Sequence, residues 1–161
     1  MKIGVLADTH SRAIPQQLLE DFREVEFIVH AGDFCSHADL LQLRKIKRVL
    51  AVFGNMDETK LRNELPESML FPFGEFSEFT IGLTHGEGPP KRILEAVRRK
   101  FKTKPDAIIF GHSHQPFNEV IDGILYFNPG SPNDTVVAPY CSYGILEIKQ
   151  RSLTGKIIKV D

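Results

Sequence analysis

The sequence lacks any apolar run of the length that a membrane span requires. The apolar stretch at its amino terminus ends at Asp8. A spanning helix needs about 20 apolar residues, and a signal peptide also has a longer apolar core. We therefore expect no membrane contact and, by default, a cytoplasmic location.

Cysteine is scarce, and neither sign of charge is in clear excess. Cys35 and Cys141 are the only cysteines and lie far apart, which fits a reduced chain better than a disulfide framework. A formal net charge of -1 gives no indication of a nucleic-acid or membrane-surface protein. Segment 91–104 is rich in Lys and Arg, but without stacking aromatic side chains beside it we interpret it as a solvated helix face. Nucleic acid is therefore not an expected partner.

The length and composition fit one folded unit. With 161 residues, of which 42% are hydrophobic, the chain can bury roughly two thirds of its unfolded surface. It shows no repeat, low-complexity tract or interdomain linker. We therefore expect a single domain over residues 1–161.

Strand and helix patterns place the chain in the α/β class. In the first half, short β-type runs alternate with helical patterns after Pro15 and over residues 39–47, which predicts parallel strands in a doubly wound arrangement. A third helix is predicted after Pro89. Antiparallel pairs are predicted between segments 69–73 and 76–83, around the turn at residues 122–123, and between segments 143–148 and 156–160.

Five apolar runs each end in a residue of a type that binds metal ions. The runs and the polar residues after them are 3–7 before Asp8 and His10, 27–31 before Asp33, 49–53 before Asn55, 79–84 before His85, and 107–110 before His112 and His114. In open α/β sheets, ligands gather at the carboxyl ends of the strands. We therefore expect these side chains to converge in one polar cleft.

Each of these motifs is weak evidence when it occurs alone. Asp8 and His10 alternate on an extended segment and can therefore face the same ion. Asp33 and Asn55 each follow a glycine, which permits a tight turn at the strand end. The two histidines of the last motif suit first-row divalent metals. Because five such motifs occur in succession, all with nitrogen or oxygen donors, together they predict a metal site.

In their order along the chain, the motifs D-x-H, G-D, G-N, H and G-H-x-H resemble those of the calcineurin-like metallophosphoesterases. The match runs from Asp8 to His114, and the chain is similar in size to the small single-domain prokaryotic phosphodiesterases of that superfamily. The resemblance implies an α/β fold with two facing mixed β-sheets flanked by helices, a four-layer α/β/β/α sandwich.

The resemblance also implies two divalent metal ions that share one ligand. The first ion would take Asp8, His10, Asp33 and His114, and the second would take Asp33, Asn55, His85 and His112. Oxygen and imidazole ligands without thiolate fit Mn, Ni, Fe, Co or Zn, and among these we expect Mn²⁺.

A centre of this kind would make the chain a hydrolase of small phosphate esters, and we expect a phosphodiesterase. With ions about 3.5 to 4 Å apart, a bridging water loses its proton easily, and the resulting hydroxide attacks phosphorus in line with the leaving oxygen. We expect Asp33, Asn55 and His85 to take part in catalysis. Asn55 and Arg12 are the residues that we expect to contact the substrate.

The sequence departs from the common family pattern directly after Asn55. Many members have a histidine at the next position, which is expected to give a proton to the leaving oxygen, whereas this chain has Met56 and then Asp57. Methionine cannot donate a proton. We therefore expect a preference for esters with acidic leaving groups, because a general acid commonly contributes about 10²- to 10⁴-fold. Asp57 is the candidate that could partly replace the histidine.

Residues 128–131, Asn-Pro-Gly-Ser, also recur in the small relatives. A rigid turn is the favoured interpretation, and the orientation of a ligand histidine is the alternative. We expect His30 and His37 to be structural or to begin a helix.

Two other classes of protein share parts of this pattern. One is a catalytically weak or inactive scaffold with the same fold, such as the phosphoesterase-like subunit of the retromer coat, but that relative has lost ligand positions that are intact here. The other is a metallo-hydrolase of a different fold, either β-lactamase-like or amidohydrolase, whose His-x-His pair comes early in the chain rather than last. The sequence specifies neither the native substrate nor whether the chain forms a homo-oligomer.

Overall fold

Two five-stranded mixed β-sheets pack face to face in the computed structural model, which describes residues 1–161, and short helices cover their outer sides. The strands are β1 (Lys2–Leu6), β2 (Phe27–His30), β3 (Val49–Ala51), β4 (Ser68–Phe73), β5 (Phe79–Thr84), β6 (Ala107–Ile109), β7 (Phe117–Ile121), β8 (Ile124–Asn128), β9 (Ser142–Lys149) and β10 (Ser152–Lys159). The α-helices are α1 (Gln16–Asp21), α2 (His37–Ile46), α3 (Thr59–Glu64) and α4 (Ile93–Arg99). The predicted fold of two facing mixed sheets flanked by helices is confirmed.

The first sheet has the strand order β10-β9-β1-β2-β3. Strands β1, β2 and β3 run parallel, with Ile3 opposite Phe27 and Ile28 opposite Val49. Strand β9 is antiparallel to both β1 and β10. The prediction of parallel strands first and a closing antiparallel pair last is confirmed.

The second sheet has the strand order β4-β5-β6-β8-β7. Its three central strands run parallel, and β4 and β7 form antiparallel edges. The predicted β7–β8 hairpin turns at Asp122 and Gly123. The other predicted hairpin has a longer turn than expected, because β5 begins at Phe79 and leaves Phe76 in the loop, where it is 81% exposed.

The largest core cluster lies between the two sheets. In β1, Ile3 and Val5 face the second sheet, whereas Leu6 faces the helices. Helices α1 and α2 pack on this outer face through Leu18 and Leu40. The predicted doubly wound arrangement is therefore wrong, because the second sheet takes the place of helices on the inner face. Both arrangements bury apolar side chains on the two faces of parallel strands, so their hydrophobic patterns are alike.

The helices are short and begin near the residues that the sequence indicated. Pro15 directly precedes α1, and a 3₁₀ turn at Pro90–Arg92 leads into α4, which packs on the outer face of the second sheet. Helix α3 was not predicted, since it has six residues and Leu61 is its only buried side chain. None of these helices has the length and apolar character needed to cross a bilayer.

Candidate metal centre

The predicted ligands all lie in loops at the carboxyl ends of parallel strands. Those after β1, β2 and β3 come from the first sheet, and those after β5 and β6 come from the second. Because the two sheets face each other, these loops meet at one edge of the sandwich. The expected convergence of the polar side chains is what the structure shows.

The backbone is unusual at most of these positions. Five of the seven predicted ligands have a left-handed backbone, with φ of 55° at Asp8, 48° at His10, 59° at Asp33, 70° at His112 and 56° at His114. Such conformations are uncommon for residues other than glycine, and they concentrate at functional sites. The chain therefore accepts local strain at the place where these side chains come together.

One group of side chains surrounds the imidazoles of His10 and His114. The Nε2 atoms of the two rings lie 3.1 Å apart. His114 Nε2 is 3.6 Å from Oδ1 of Asp8, and His10 Nε2 is 3.9 Å from Oδ2 of Asp33. These four residues are the set that the family resemblance implied for the first ion.

A second group surrounds the amide oxygen of Asn55. Its Oδ1 atom lies 3.0 Å from Nε2 of His85 and 3.0 Å from Nδ1 of His112. His85 Nε2 is in turn 3.3 Å from Oδ2 of Asp33. The Oδ2 atom of Asp33 therefore faces both groups.

The space between these side chains fits a cation. Oδ2 of Asp8 is fully buried and has no hydrogen-bond partner, and it is the only buried side-chain nitrogen or oxygen in that condition. Burial raises the pKa of the Asp8 carboxyl to about 7. Asp8 forms potential metal-binding sets both with His10 and His114 and with Asp33 and His85. A divalent ion would satisfy the unpaired oxygen and compensate the buried charge.

Burial and neighbouring charge shift the pKa values of the other groups in different directions. Burial would raise the pKa of Asp33, but the contact with His85 and its charge outweigh burial, and the pKa falls. Burial likewise opposes protonation of His85, but Asp33 and Asp8 outweigh it and raise its pKa. For His10 and His112, burial dominates and lowers the pKa, which favours the neutral imidazole that binds metals.

Glycine is required where the loops after β2 and β3, two neighbouring strands of the first sheet, approach each other. A Cβ atom on Gly54 would lie 2.1 Å from Oδ1 of Asp33 and 2.6 Å from its backbone nitrogen. The Asp33 side chain can therefore take its position only because residue 54 has no side chain.

The predicted ligands adjoin a small groove rather than the largest one. A groove of about 160 Å³ is lined by Asn55 and His85 together with Arg62 and Lys100. The largest groove, of about 540 Å³, lies beside α1 and β9 and contains none of the predicted ligands. The space next to the site therefore suits a small polar group.

Comparison with known proteins shows the family to which the chain belongs. The family model for the calcineurin-like phosphoesterase superfamily domain matches residues 1–151. The chain belongs to this superfamily. It is 37% identical to a probable metallophosphoesterase of Methanothermobacter thermautotrophicus, over 99% of this chain and 92% of the relative. It is 30% identical to a phosphodiesterase of Methanocaldococcus jannaschii, over 81% of this chain and 83% of the relative.

Among solved structures, the chain is similar to Vps29 of Entamoeba histolytica complexed with Zn²⁺. The TM-score is 0.73 at 26% sequence identity, and the match covers 99% of each chain. The similarity supports the two-sheet fold and includes a relative that holds a metal ion.

The carboxylate of Asp57 is buried against the backbone of the ligand loops. Its side chain is 5% exposed and accepts backbone N–H groups from Asp33 at 3.0 Å, Cys35 at 2.7 Å and Gly54 at 2.7 Å. Burial raises its pKa, and these amides oppose the rise. Because both oxygens already accept hydrogen bonds from the ligand loops, Asp57 organises those loops, and its role in proton transfer stays a prediction.

Arg12 lies at the surface beside the first group of ligands. Its guanidinium donates a hydrogen bond to the backbone oxygen of Asn133 at 3.0 Å. This contact uses one N–H group of the guanidinium, and the contact of Arg12 with substrate stays a prediction.

Asp134 is a functional candidate that the sequence did not reveal. Its carboxylate is hydrogen-bonded to Nδ1 of His114 and also accepts the backbone N–H groups of Val136 and Val137. Burial would raise the pKa of Asp134, but these bonds outweigh it and hold the pKa well below its usual range. Orientation of a ligand histidine by segment 128–131 stays a prediction, and Asp134, three positions further on, contacts His114 directly.

The side chains of Asn128 and Ser131 donate hydrogen bonds to backbone carbonyls of the ligand loops. Asn128 donates a hydrogen bond to the carbonyl of Gly111 at 3.0 Å, and Ser131 donates one to the carbonyl of Asp8 at 2.8 Å. His30 and His37 are structural, as expected. His30 is buried against Phe34 with its ring 3.1 Å from the Thr9 hydroxyl, and His37 begins α2.

Proposed function

We propose that the protein is a dinuclear metal-dependent phosphodiesterase that hydrolyses small phosphate esters, with residues 1–161 forming a single metallophosphoesterase domain. One observation carries this proposal. Oδ2 of Asp33 lies 3.9 Å from His10 Nε2 in one ligand group and 3.3 Å from His85 Nε2 in the other. A carboxylate shared by two groups of nitrogen and oxygen donors suits a pair of divalent ions.

The residues divide into two candidate metal positions. Asp8, His10, Asp33 and His114 would hold one ion, and Asp33, Asn55, His85 and His112 would hold the other. Manganese is the metal that we favour, and nickel, iron, cobalt and zinc have the same preference for imidazole and oxygen donors. When bound, two such ions would supply positive charge and lower the pKa of a bound water toward neutral pH.

The chain's own residues set the charge of the cleft. Asp8 and Asp33 are the only carboxylates in the two groups, and Asn55 contributes a neutral oxygen. Burial keeps His10 and His112 neutral by lowering their pKa values. The cleft therefore retains net positive charge when it holds two divalent ions, and it can bind an anionic phosphate ester even though the chain as a whole is slightly acidic.

The residue at position 56 limits which phosphate esters the site can hydrolyse, because it determines whether the leaving oxygen can be protonated. Met56 follows Asn55, its backbone N–H donates a hydrogen bond to Oδ1 of Asp33 at 2.8 Å, and its side chain is 59% exposed. A thioether cannot protonate a leaving oxygen, and the carboxylate of Asp57 is occupied by backbone amides. The proposed substrates are therefore phosphodiesters whose leaving groups depart readily without a proton donor.

A scaffold for protein interaction is the second candidate, and it is supported by the similarity in fold to Vps29, which is named for vacuolar protein sorting. The complete set of seven candidate ligands and the unpaired Asp8 oxygen favour the enzyme. The two proposals differ in whether hydrolysis accompanies metal binding.

The test is elemental analysis of the purified protein together with a phosphodiesterase assay. We expect Mn²⁺-supplemented protein to hydrolyse bis(p-nitrophenyl) phosphate and Asp33→Asn to lose most of this activity. Asp122→Asn makes the same chemical change in the exposed β7–β8 turn and should be unaffected. Wild-type protein that is inactive with every divalent metal would favour the scaffold.

A further inference from the structure

The loop between β8 and β9 makes hydrogen bonds to the segments that carry the first group of ligands. Ser131 donates a hydrogen bond to the carbonyl of Asp8 at 2.8 Å, and Asn133 donates one to the carbonyl of Thr9 at 3.0 Å. Asp134, next in the loop, contacts His114, which comes from the end of β6. Residues 131–134 therefore connect two ligand segments that belong to different sheets.

The carboxylate of Asp134 is fixed in direction. It is 5% exposed, and its Oδ1 atom accepts the backbone N–H groups of Val136 at 2.8 Å and Val137 at 3.2 Å. Its Oδ2 atom is left to accept a hydrogen bond from Nδ1 of His114. The loop backbone therefore orients the carboxylate, and the carboxylate in turn orients the imidazole.

This contact determines which nitrogen of His114 carries the hydrogen. A carboxylate only accepts hydrogen bonds, so Nδ1 must be the donor and Nε2 keeps its lone pair. Nε2 is the atom that faces His10 Nε2 at 3.1 Å and Asp8 Oδ1 at 3.6 Å. The ring therefore presents a free lone pair to the space where the first ion would bind.

Two other ligand histidines have weaker hydrogen-bond partners at their Nδ1 atoms. Nδ1 of His85 lies 2.7 Å from the backbone oxygen of Ala31, and Nδ1 of His10 lies 3.2 Å from the Cys35 sulfur. Partners of this kind fix the ring and its tautomer, and a carboxylate also makes the imidazole a stronger ligand. His114 is thus the ligand histidine with the strongest support.

We propose that Asp134 is a positioning residue that holds His114 as a ligand for the first of the two ions. This role rests on the proposed dinuclear centre. Losing such a partner typically weakens metal affinity about 10- to 100-fold. The second position, formed by Asp33, Asn55, His85 and His112, has no contact with Asp134 and should be affected much less.

Asp134→Asn is the most informative variant, because asparagine has nearly the same shape as aspartate. Its Oδ1 atom can still accept the Val136 and Val137 amides, which keeps the loop in place. Its Nδ2 atom would then face Nδ1 of His114, and because Nδ2 only donates, the hydrogen of the imidazole would move to Nε2. The variant therefore removes the free lone pair without removing the side chain.

Two measurements test the proposal. The first is long-range ¹H–¹⁵N NMR of the metal-free protein, where we expect a hydrogen on Nδ1 of His114 in the wild type and on Nε2 in the variant. The second is a Mn²⁺ titration, where we expect one of two sites to weaken about 10- to 100-fold. Asp106→Asn is the matched control, because Asp106 also accepts a backbone N–H, from Thr80 at 2.7 Å, outside the site.

The outcomes separate this proposal from the proposed function. If the wild type binds two ions and Asp134→Asn binds both equally well, Asp134 has no positioning role. The same conclusion follows if the tautomer of His114 does not change. If the tautomer changes as expected but the wild type binds no divalent metal, the contact orients the ring and both the dinuclear centre and the role of Asp134 in metal binding are wrong.

Discussion

The Oδ2 atom of Asp33 lies 3.3 Å from Nε2 of His85, although Asp33 follows a strand of the first sheet and His85 a strand of the second. The candidate metal centre therefore depends on how the two sheets pack. Gly54 makes the position of Asp33 possible, since a Cβ atom there would collide with the Asp33 side chain. Stability of the sandwich and metal binding should consequently be linked, because an ion that binds only the folded chain stabilises it.

The neutral side chain of Asn55 allows a test of how charge in the cleft affects phosphate binding. We predict that Asn55→Asp weakens inhibition by inorganic phosphate about tenfold or more, because a negative charge placed a few ångströms from the phosphate costs more than about 1.4 kcal/mol in a partly buried site. Asn63→Asp makes the same change on the exposed face of α3 and serves as the control. Equal phosphate affinity in the wild type and Asn55→Asp would contradict the prediction.

The absence of a proton donor at Met56 predicts a steep dependence of rate on the leaving group. For a series of methyl aryl phosphates, the wild-type rate should fall strongly as the pKa of the phenol rises. Met56→His should flatten this dependence and raise the rate for the least acidic phenol by about tenfold or more. Leu41→His, on the exposed face of α2, controls for the added histidine. A wild-type rate that does not depend on the phenol would show that another acid is present.

Asp57 should affect folding rather than proton transfer. Asp57→Asn keeps one accepting oxygen and replaces the other by an NH₂ group, which cannot accept either the Cys35 N–H or the N–H groups of Asp33 and Gly54 that face it. We predict that the free energy of unfolding falls by about 1 to 3 kcal/mol, measured by urea denaturation of the metal-free protein. The exposed Asp122→Asn should change it by less than about 0.5 kcal/mol. An unchanged stability together with a changed leaving-group dependence would restore the catalytic role expected from the sequence.

We predict that the buried hydroxyl of Tyr143 makes the free energy of unfolding fall at alkaline pH. The side chain is buried and donates a hydrogen bond to Asp21 at 2.6 Å, and burial, together with Asp21, raises its pKa above the usual range. The unfolded chain therefore loses this proton first, near pH 10, so the contribution is present below about pH 10 and is lost as pH rises further. Tyr143→Phe should cost about 1 kcal/mol at neutral pH and reduce the alkaline loss.

The control for Tyr143 is Tyr140→Phe, since Tyr140 is 39% exposed. The effect is measured as the change in the free energy of unfolding between neutral pH and a pH above about 10. Part of the alkaline loss should remain in Tyr143→Phe, because burial also raises the pKa of Tyr126. Identical alkaline loss in the wild type and Tyr143→Phe would contradict the prediction.

The sequence predicted the parts of this protein that follow from local pattern. The placement of Asp8, Asp33 and Asn55 after apolar runs was sufficient to predict that they meet, because the parallel strands of one sheet end at a common edge. His85 was also expected in this cleft, but it reaches the cleft from the second sheet, through sheet packing that the pattern did not show. The β7–β8 hairpin was predicted from Asp122 and Gly123, whose backbone conformations suit a tight turn.

Features that depend on packing between distant segments were not predicted. Asp134 lies in a loop without regular structure, and its contact with His114 depends on how that loop folds back over the sheet edge. Asp57 follows Asn55 closely, but its side chain turns toward the backbone of Asp33 and Cys35 rather than toward the cleft. Helix α3 has too few buried residues to produce a periodic pattern.

The number of divalent ions bound per chain tests the central claim most directly. We predict that titration of metal-free protein with Mn²⁺ reaches two ions per chain, and that Asp33→Asn weakens both sites because its carboxylate faces both ligand groups. Weak binding of a single ion by the wild type, or two sites unaffected by Asp33→Asn, would contradict the shared-carboxylate centre.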